Sequence, residues 1–342
     1  MKKVKQMIGG RLMKTGIAVF ITALVCQLLN WPAMFAVITA VVTIEPTAAD
    51  SIKKAFVRFP ASAIGAGYAV LFGYLFDNQP ITYAIVTLLT IFTCTKLRLD
   101  AGTLVATLTG IAMIPTVQDH YVSSFFIRLG TTSTGLIVSS LVNIFIMPPN
   151  YIGSISAKLD QHFIDTWKVL EKRGHELVQQ QPLHKETKRL FRKIEADIQK
   201  TEMLFTFQKK EWMFHQTNRA EIHTYHEQYK KFYILKQMVN HLGNLIYLPS
   251  ASFEFSKDES ELLFSTIESL KNEILDSHSQ ADDDQERLMN QIFSRFWGES
   301  NPLKRSQSFT DLTTGKYIVL FEILALYRTT KELMKVKQNA RI

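Results

Sequence analysis

The sequence predicts an all-α protein: a six-helix transmembrane bundle with a 3+3 inverted repeat, followed by a soluble α-helical domain. Three observations carry this prediction. Six long apolar segments crowd into the first 149 residues. The short connections between them carry basic residues on one side only. From residue 150 onward the chain turns rich in both charges and shows apolar residues at helical spacing, as at Ile155, Leu159, Phe163 and Leu170. These features divide the chain into a membrane domain, 1–149, and a cytoplasmic helical domain, 150–342.

A helix needs about 20 apolar residues to cross a ~30 Å hydrocarbon core. Segments near this size run over about 12–29, 31–47, 56–76, 81–95, 101–117 and 125–147. Backbone polar groups left open in lipid are costly, so each is predicted to be helical. Lys2, Lys3 and Lys5 precede the first apolar run, as in a signal peptide. No small-residue cleavage site follows, and five further apolar segments do, so the cluster reads as an anchor.

With the N-terminus in the cytoplasm, the inner segments hold Lys2, Lys3, Lys5, Arg11, Lys14, Lys53, Lys54, Arg58, Lys96 and Arg98. The outer connections at Asn30, 77–80 and 118–124 hold no Lys or Arg. This asymmetry sets the orientation. An even number of spans then predicts a multi-pass protein of the cell membrane with both termini cytoplasmic and lipid as its partner. The net charge of +8 is therefore a topology signal and does not point to nucleic acid. Cys26 and Cys94 fall near opposite faces, too far apart for a disulfide.

The two halves of the bundle resemble each other. Pro46-Thr47-Ala48-Ala49-Asp50 recurs as Pro115-Thr116-Val117-Gln118-Asp119, and Arg58 with Gly65 recurs as Arg128 with Gly135. Three spans per half make equivalent helices run in opposite directions, the arrangement of an inverted repeat. The Pro-Thr pairs cut the second and fifth spans to uninterrupted apolar stretches at 31–44 and 101–114. Each is about 21 Å long at 1.5 Å per residue, too short to cross alone. Paired short, interrupted spans point to a transport site; each proline also serves simply as an interfacial helix end.

Three charged residues stand out against this background. Glu45 meets the first Pro break, where a carboxylate is costly enough to suggest proton binding; the bland alternative is a headgroup-wetted residue near Lys53 or Lys54. Arg58 heads the third span and reads as an inner anchor. Arg128 heads the sixth on the outer side, against the charge rule. Its guanidinium suits an anionic substrate, with snorkelling to headgroups, near Asp119, as the alternative. Glu45, Pro46, Thr47, Asp50, Arg58 and Arg128 are thus the candidate substrate or proton pathway. Glycines at 65, 67, 73, 102, 110, 130 and 135 read as helix-packing positions.

In the second part, Pro182 ends a first helix, and 183–248 forms a stretch too long for one helix, with a break expected near Asn218. Ser256 with Glu259 is a capping-box pattern. Asp282, Asp283 and Asp284 open a short helix ending near Trp297, a loop follows from Gly298, and Tyr317, Leu320, Phe321, Leu324 and Tyr327 mark a last amphipathic helix. His215, His223 and His226 are candidates for one helix face, without the cysteine or carboxylate pattern of a metal site. No phosphate-binding or dinucleotide glycine loop is present, so no cofactor is implied and enzyme function is not expected.

The run Ala36-Val37-Ile38-Thr39-Ala40-Val41-Val42-Thr43-Ile44-Glu45-Pro46-Thr47 with Arg58 and Gly65 resembles the bacterial aromatic acid exporter family, akin to the fusaric acid resistance proteins. Six spans followed by a helical domain are similar to its Gram-positive branch, and the resemblance covers essentially the whole chain. It implies secondary export of small organic anions such as aromatic carboxylic acids. Relatives with two membrane halves per chain imply a homodimer or larger assembly here. Two other functions remain open on the residues alone: a membrane scaffold whose helical domain binds partners, and an envelope-stress regulator.

Overall fold

The computed structural model describes residues 2–116, 121–249, 255–275, 287, 289–291, 294 and 315–339. All regular structure among the described residues is helical, with no strand. Residues 117–119 of the second Pro-Thr match, the acidic run 282–284 and the loop expected from residue 298 lie outside the described residues. The chain forms two compact units, Met1–Asn150 with Phe207–Gln216, and Tyr151–Thr206 with Thr217–Ile342.

Among its described residues the first unit holds six complete helices: α1 Lys2–Leu28, α2 Ala33–Thr43, α3 Ala48–Phe76, α4 Pro80–Lys96, α5 Asp100–Met113 and α6 Tyr121–Phe145. Within α1 the stretch Gly10–Leu28, together with α3 and α6, is long and apolar enough to cross a membrane; α2 and α4 are shorter apolar helices. Helix α2 has 11 residues and α5 has 14, about 17 and 21 Å at standard rise. The break after α2 is a non-helical link, Ile44-Glu45-Pro46, extended at Ile44 and bent at Pro46, whereas α5 passes into a 3-10 turn at Ile114–Thr116. Helix α3 begins earlier than its apolar run because Thr47 caps it: the Thr47 hydroxyl accepts the Asp50 N–H at 3.1 Å.

Polarity in this unit is inverted relative to a water-soluble protein. Phe20, Phe56, Leu88, Leu104 and Phe145 are exposed, while Thr39, Ser62, Thr109, Thr132 and Asn143 are buried. Apolar lipid removes the incentive to hide apolar side chains, and interior hydroxyls bond within and between helices. Cys26 and Cys94 are buried and free.

The repeat is visible in three dimensions. Helix α3 packs on α5 and α6, α6 on α2, α1 on α2 and α6, and α4 on α5 and α3. Exchanging α1, α2, α3 for α4, α5, α6 maps each pairing onto another. The helix ends match too. Past α1, Trp31 N–H donates to the Cys26 carbonyl (2.9 Å) and Asn30 N–H to Gln27 (3.2 Å); past α4, Leu99 donates to Cys94 (2.8 Å) and Arg98 to Thr95 (3.1 Å). Asn30 and Arg98 both take positive φ, 52° and 57°, as this helix-ending motif requires. A methyl group on Gly65 would run into the Ala106 carbonyl, and one on Gly135 into the Ala36 carbonyl. Glycine is needed at both places for the same close helix approach.

In the second unit, α7 (Ile152–Val178) buries Ile155, Leu159, Trp167, Leu170 and Leu177. The stretch after Pro182 divides into α8 (Lys185–Glu211) and α9 (Arg219–Tyr247), with the break at the N-cap Asn218, whose side chain accepts the Glu221 N–H at 2.7 Å. Then follow α10 (Lys257–Leu275) and α11 (Gly315–Asn339). Ser256 and Glu259 close a reciprocal capping box at 2.8 and 3.3 Å. Helix α9 packs on α7 and α11, and α10 on the same two helices.

The histidine expectation needs correction. His215 lies in the turn before Asn218, outside α9, and so does not share a helix face with His223 and His226. No group of three or more metal-ligating residues occurs among the described residues.

Candidate functional site

Glu45 and Arg58 come together at the α2–α3 break. Glu45 accepts from Arg58 Nη2 and from Lys54 Nζ, both at 2.8 Å. Arg58 also donates through Nε to the Ala101 carbonyl at 3.3 Å. It is therefore a buried, ion-paired group; the expectation of an inner anchor missed this, because α3 starts early enough to carry Arg58 into the bundle. Pro46 forms a bend in the link. Thr47 and Asp50 form the α3 cap, where the Thr47 hydroxyl also donates to Asp50 at 2.8 Å.

Sequence reasoning did not single out Asn143, which joins this end of the bundle. Its amide donates to the Glu45 carbonyl (3.1 Å), the Thr47 carbonyl (3.2 Å) and Ser51 Oγ (2.8 Å). Its own oxygen accepts from Lys14 Nζ at 2.8 Å. One amide thus ties α1, the α2–α3 link and α6 together, and an Asn inside an apolar span was the available signal.

The segment Phe207–Gln216 completes the same end. Lys210 pairs with Asp50 at 2.7 Å, and Glu211 Oε1 accepts the Ala48 N–H at 2.8 Å, at the start of α3. His215 Nε2 donates to the Ile144 carbonyl at 2.8 Å. Burial pushes the Glu211 carboxyl above the usual range, against the downward pull of the Ala48 N–H, His215 and Lys14.

Arg128 sits apart from all of these. It is 5 % exposed. Nη2 donates to Thr109 Oγ1 at 2.5 Å, and the guanidinium lies over the Phe35 ring at 3.8 Å. Nε and Nη1 are buried with no hydrogen-bond partner, and Arg128 forms no ion pair among the described residues. Snorkelling does not describe this side chain. Arg173 of the second unit shows what a buried arginine ordinarily looks like. Its nitrogens reach the Leu245 carbonyl (2.9 Å), the Leu248 carbonyl (2.6 Å) and Glu176 (3.0 Å). A guanidinium with two idle nitrogens in a low-dielectric interior leaves two donors that an anionic oxygen would satisfy.

Buried hydroxyls fill the bundle between the two repeat-related arginines. Thr109 lies 3.5 Å from Ser62, and Ser62 lies 3.3 Å from Thr132. Arg58 precedes Ser62 by one helical turn, and Arg128 precedes Thr132 likewise. Because α3 and α6 run in opposite directions, the arginines flank the Ser62–Thr132 contact, about 12 Å apart along the bundle.

Comparison with known proteins gives a consistent result. A family model described as aromatic acid exporter family member 1 matches residues 6–146. A UPF0421 protein of Bacillus cereus is 40% identical over 334 residues, 97% of this chain and 94% of the relative. UPF0421 proteins of Oceanobacillus iheyensis and Staphylococcus aureus are 37% and 36% identical, covering 96% and 95% of this chain and 96% of each relative.

Proposed function

Because the chain belongs to the aromatic acid exporter family of membrane proteins, we propose that it is a secondary exporter of small organic anions such as aromatic carboxylic acids, with Arg128 holding the anion. The observation that carries this reading is the buried Arg128 guanidinium with Nε and Nη1 unused. A carboxylate accepts two parallel N–H bonds from such a fork, and Phe35 offers an aromatic face beside it. The short helices α2 and α5 supply Phe35 and Thr109, so both interrupted spans contribute to the site. An ion gradient drives export, and Glu45, beside the Pro46-Thr47 break and Asp50, is the coupling carboxylate.

The loop charges support a cell-membrane protein with both termini in the cytoplasm. One six-helix bundle per chain supports a homo-oligomer. The test is accumulation of labelled benzoate in everted vesicles, with and without a proton gradient, for wild type and Arg128→Gln at matched expression. Gradient-dependent uptake that falls at least about tenfold in Arg128→Gln is expected. Uptake equal to empty vesicles in both would remove the transport reading and leave a scaffold or envelope-regulator role.

A further inference from the structure

We propose that Arg58 is a second anion site for the same class of small carboxylate, kept occupied by Glu45, whose side chain acts as a tethered stand-in for the transported anion. The inference rests on the exporter reading and extends it from one binding station to two. It starts from the repeat. Arg58 and Arg128 occupy matching positions, one turn before the touching pair Ser62 and Thr132. Both are buried, 6 and 5 % exposed, and each keeps a buried Nη1 with no hydrogen-bond partner.

Their difference lies in what fills the fork. Arg128 faces a neutral hydroxyl and an aromatic ring. Arg58 faces a carboxylate supplied by the chain, Glu45 at 2.8 Å. Glu45 comes from the non-helical link after α2, where its N–H donates to Ser51 Oγ at 3.2 Å and its carbonyl accepts from Asn143 at 3.1 Å, so its backbone is held and its side chain is the part that swings. The link is held by Asn143, which accepts Lys14 and donates to the Glu45 and Thr47 carbonyls. Lys54, 40 % exposed at its side chain, gives the Glu45 carboxylate a second cation to rest on when it leaves Arg58. An incoming carboxylate can therefore replace Glu45 on Arg58 without leaving either charge unpaired. The two stations lie about 12 Å apart across the Ser62–Thr132 hydroxyls. An anion crossing the bundle then meets a guanidinium on each side of its midpoint, and Glu45 closes one of the two when it is empty of cargo.

Binding stoichiometry tests this. Labelled benzoate is titrated by equilibrium dialysis onto the full-length protein in lipid nanodiscs at neutral pH. Wild type is expected to show one site per chain. Glu45→Gln is expected to show two, the second at least about tenfold tighter than any second site in wild type, and Glu45→Gln with Arg58→Gln is expected to return to one. Glu45→Asp keeps the charge but shortens its reach, so it reports on the same tether if Glu45→Gln does not yield folded protein; a strengthened second site is expected there too. One site in every variant would overturn the second station while leaving Arg128 as the carrier. A single site in Glu45→Gln that disappears with Arg58→Gln, and none in wild type, would support the Arg58 station and sink the role given to Arg128. No binding in any variant would overturn both.

Discussion

Arg58 and Arg128 occupy equivalent positions of one repeat and sit in opposite electrostatic conditions. Arg58 has Glu45 and a backbone carbonyl, and Arg128 has one hydroxyl and a ring. The packing that surrounds them stayed symmetric. Gly65 against Ala106 mirrors Gly135 against Ala36, and the α1 and α4 ends close with the same hydrogen bonds. Symmetry is thus kept where backbones touch and is lost where charge is placed. Packing errors anywhere destabilise a bundle, whereas a carboxylate added beside one arginine changes the electrostatics of that end alone.

The sharpest way to break this comparison is at Arg128. Arg128→Gln removes a charged hydrogen-bond donor worth about 1.5–3 kcal/mol, so benzoate affinity in nanodiscs is expected to fall roughly ten- to hundredfold. An unchanged affinity would make the unpaired guanidinium irrelevant to cargo.

The packing symmetry comes next. Gly65→Ala and Gly135→Ala each force a backbone carbonyl away and are expected to cost similar amounts, about 1–3 kcal/mol, seen as matched losses in thermal stability. Gly67→Ala meets open space and serves as the silent control. Unequal losses at 65 and 135 would show that the two halves are packed less alike than their contacts suggest.

A smaller effect is expected at Thr109→Val, which removes the one side-chain hydrogen bond to Arg128. The loss is about 1 kcal/mol, or roughly fivefold in benzoate affinity. The smallest concerns pH. Glu211 has its carboxyl raised by burial. The folded form therefore holds its proton more tightly than the unfolded chain, and stability falls as pH rises from the ordinary glutamate range through the raised folded value. Glu211→Gln should flatten that part of the melting profile. His162 in the second unit has the opposite sign. Burial lowers its value, so its stability contribution is lost as pH falls from the usual histidine range through the lowered one. His162→Gln should blunt acid sensitivity.

Most of the helix order was legible in the sequence because lipid asks for long apolar runs and the loops sort their charges. The repeat was legible through Pro46, Arg58 and Gly65 and their counterparts. The start of α3 was not, since Lys53 and Lys54 hide a helical turn from any hydropathy measure. The Arg58–Glu45 pair was not either, because a basic residue near a span end looks like an anchor until the helix start is known. Asn143 and Glu211 were missed for another reason. Their partners lie 98 and 163 residues away, and no local pattern encodes a contact at that separation.

The ten residues of Phe207–Gln216 also impose an order in time. The helices of the bundle are made first, yet the Ala48 N–H and Asp50 gain Glu211 and Lys210 only after that later stretch has left the ribosome. Until then the start of α3 keeps its Thr47 cap and Asn143 but lacks these two later partners. A ribosome stalled once residues 1–150 have left its tunnel should therefore hold a bundle that proteases still cut near the α2–α3 link, and one stalled once residue 216 has emerged a bundle that resists them.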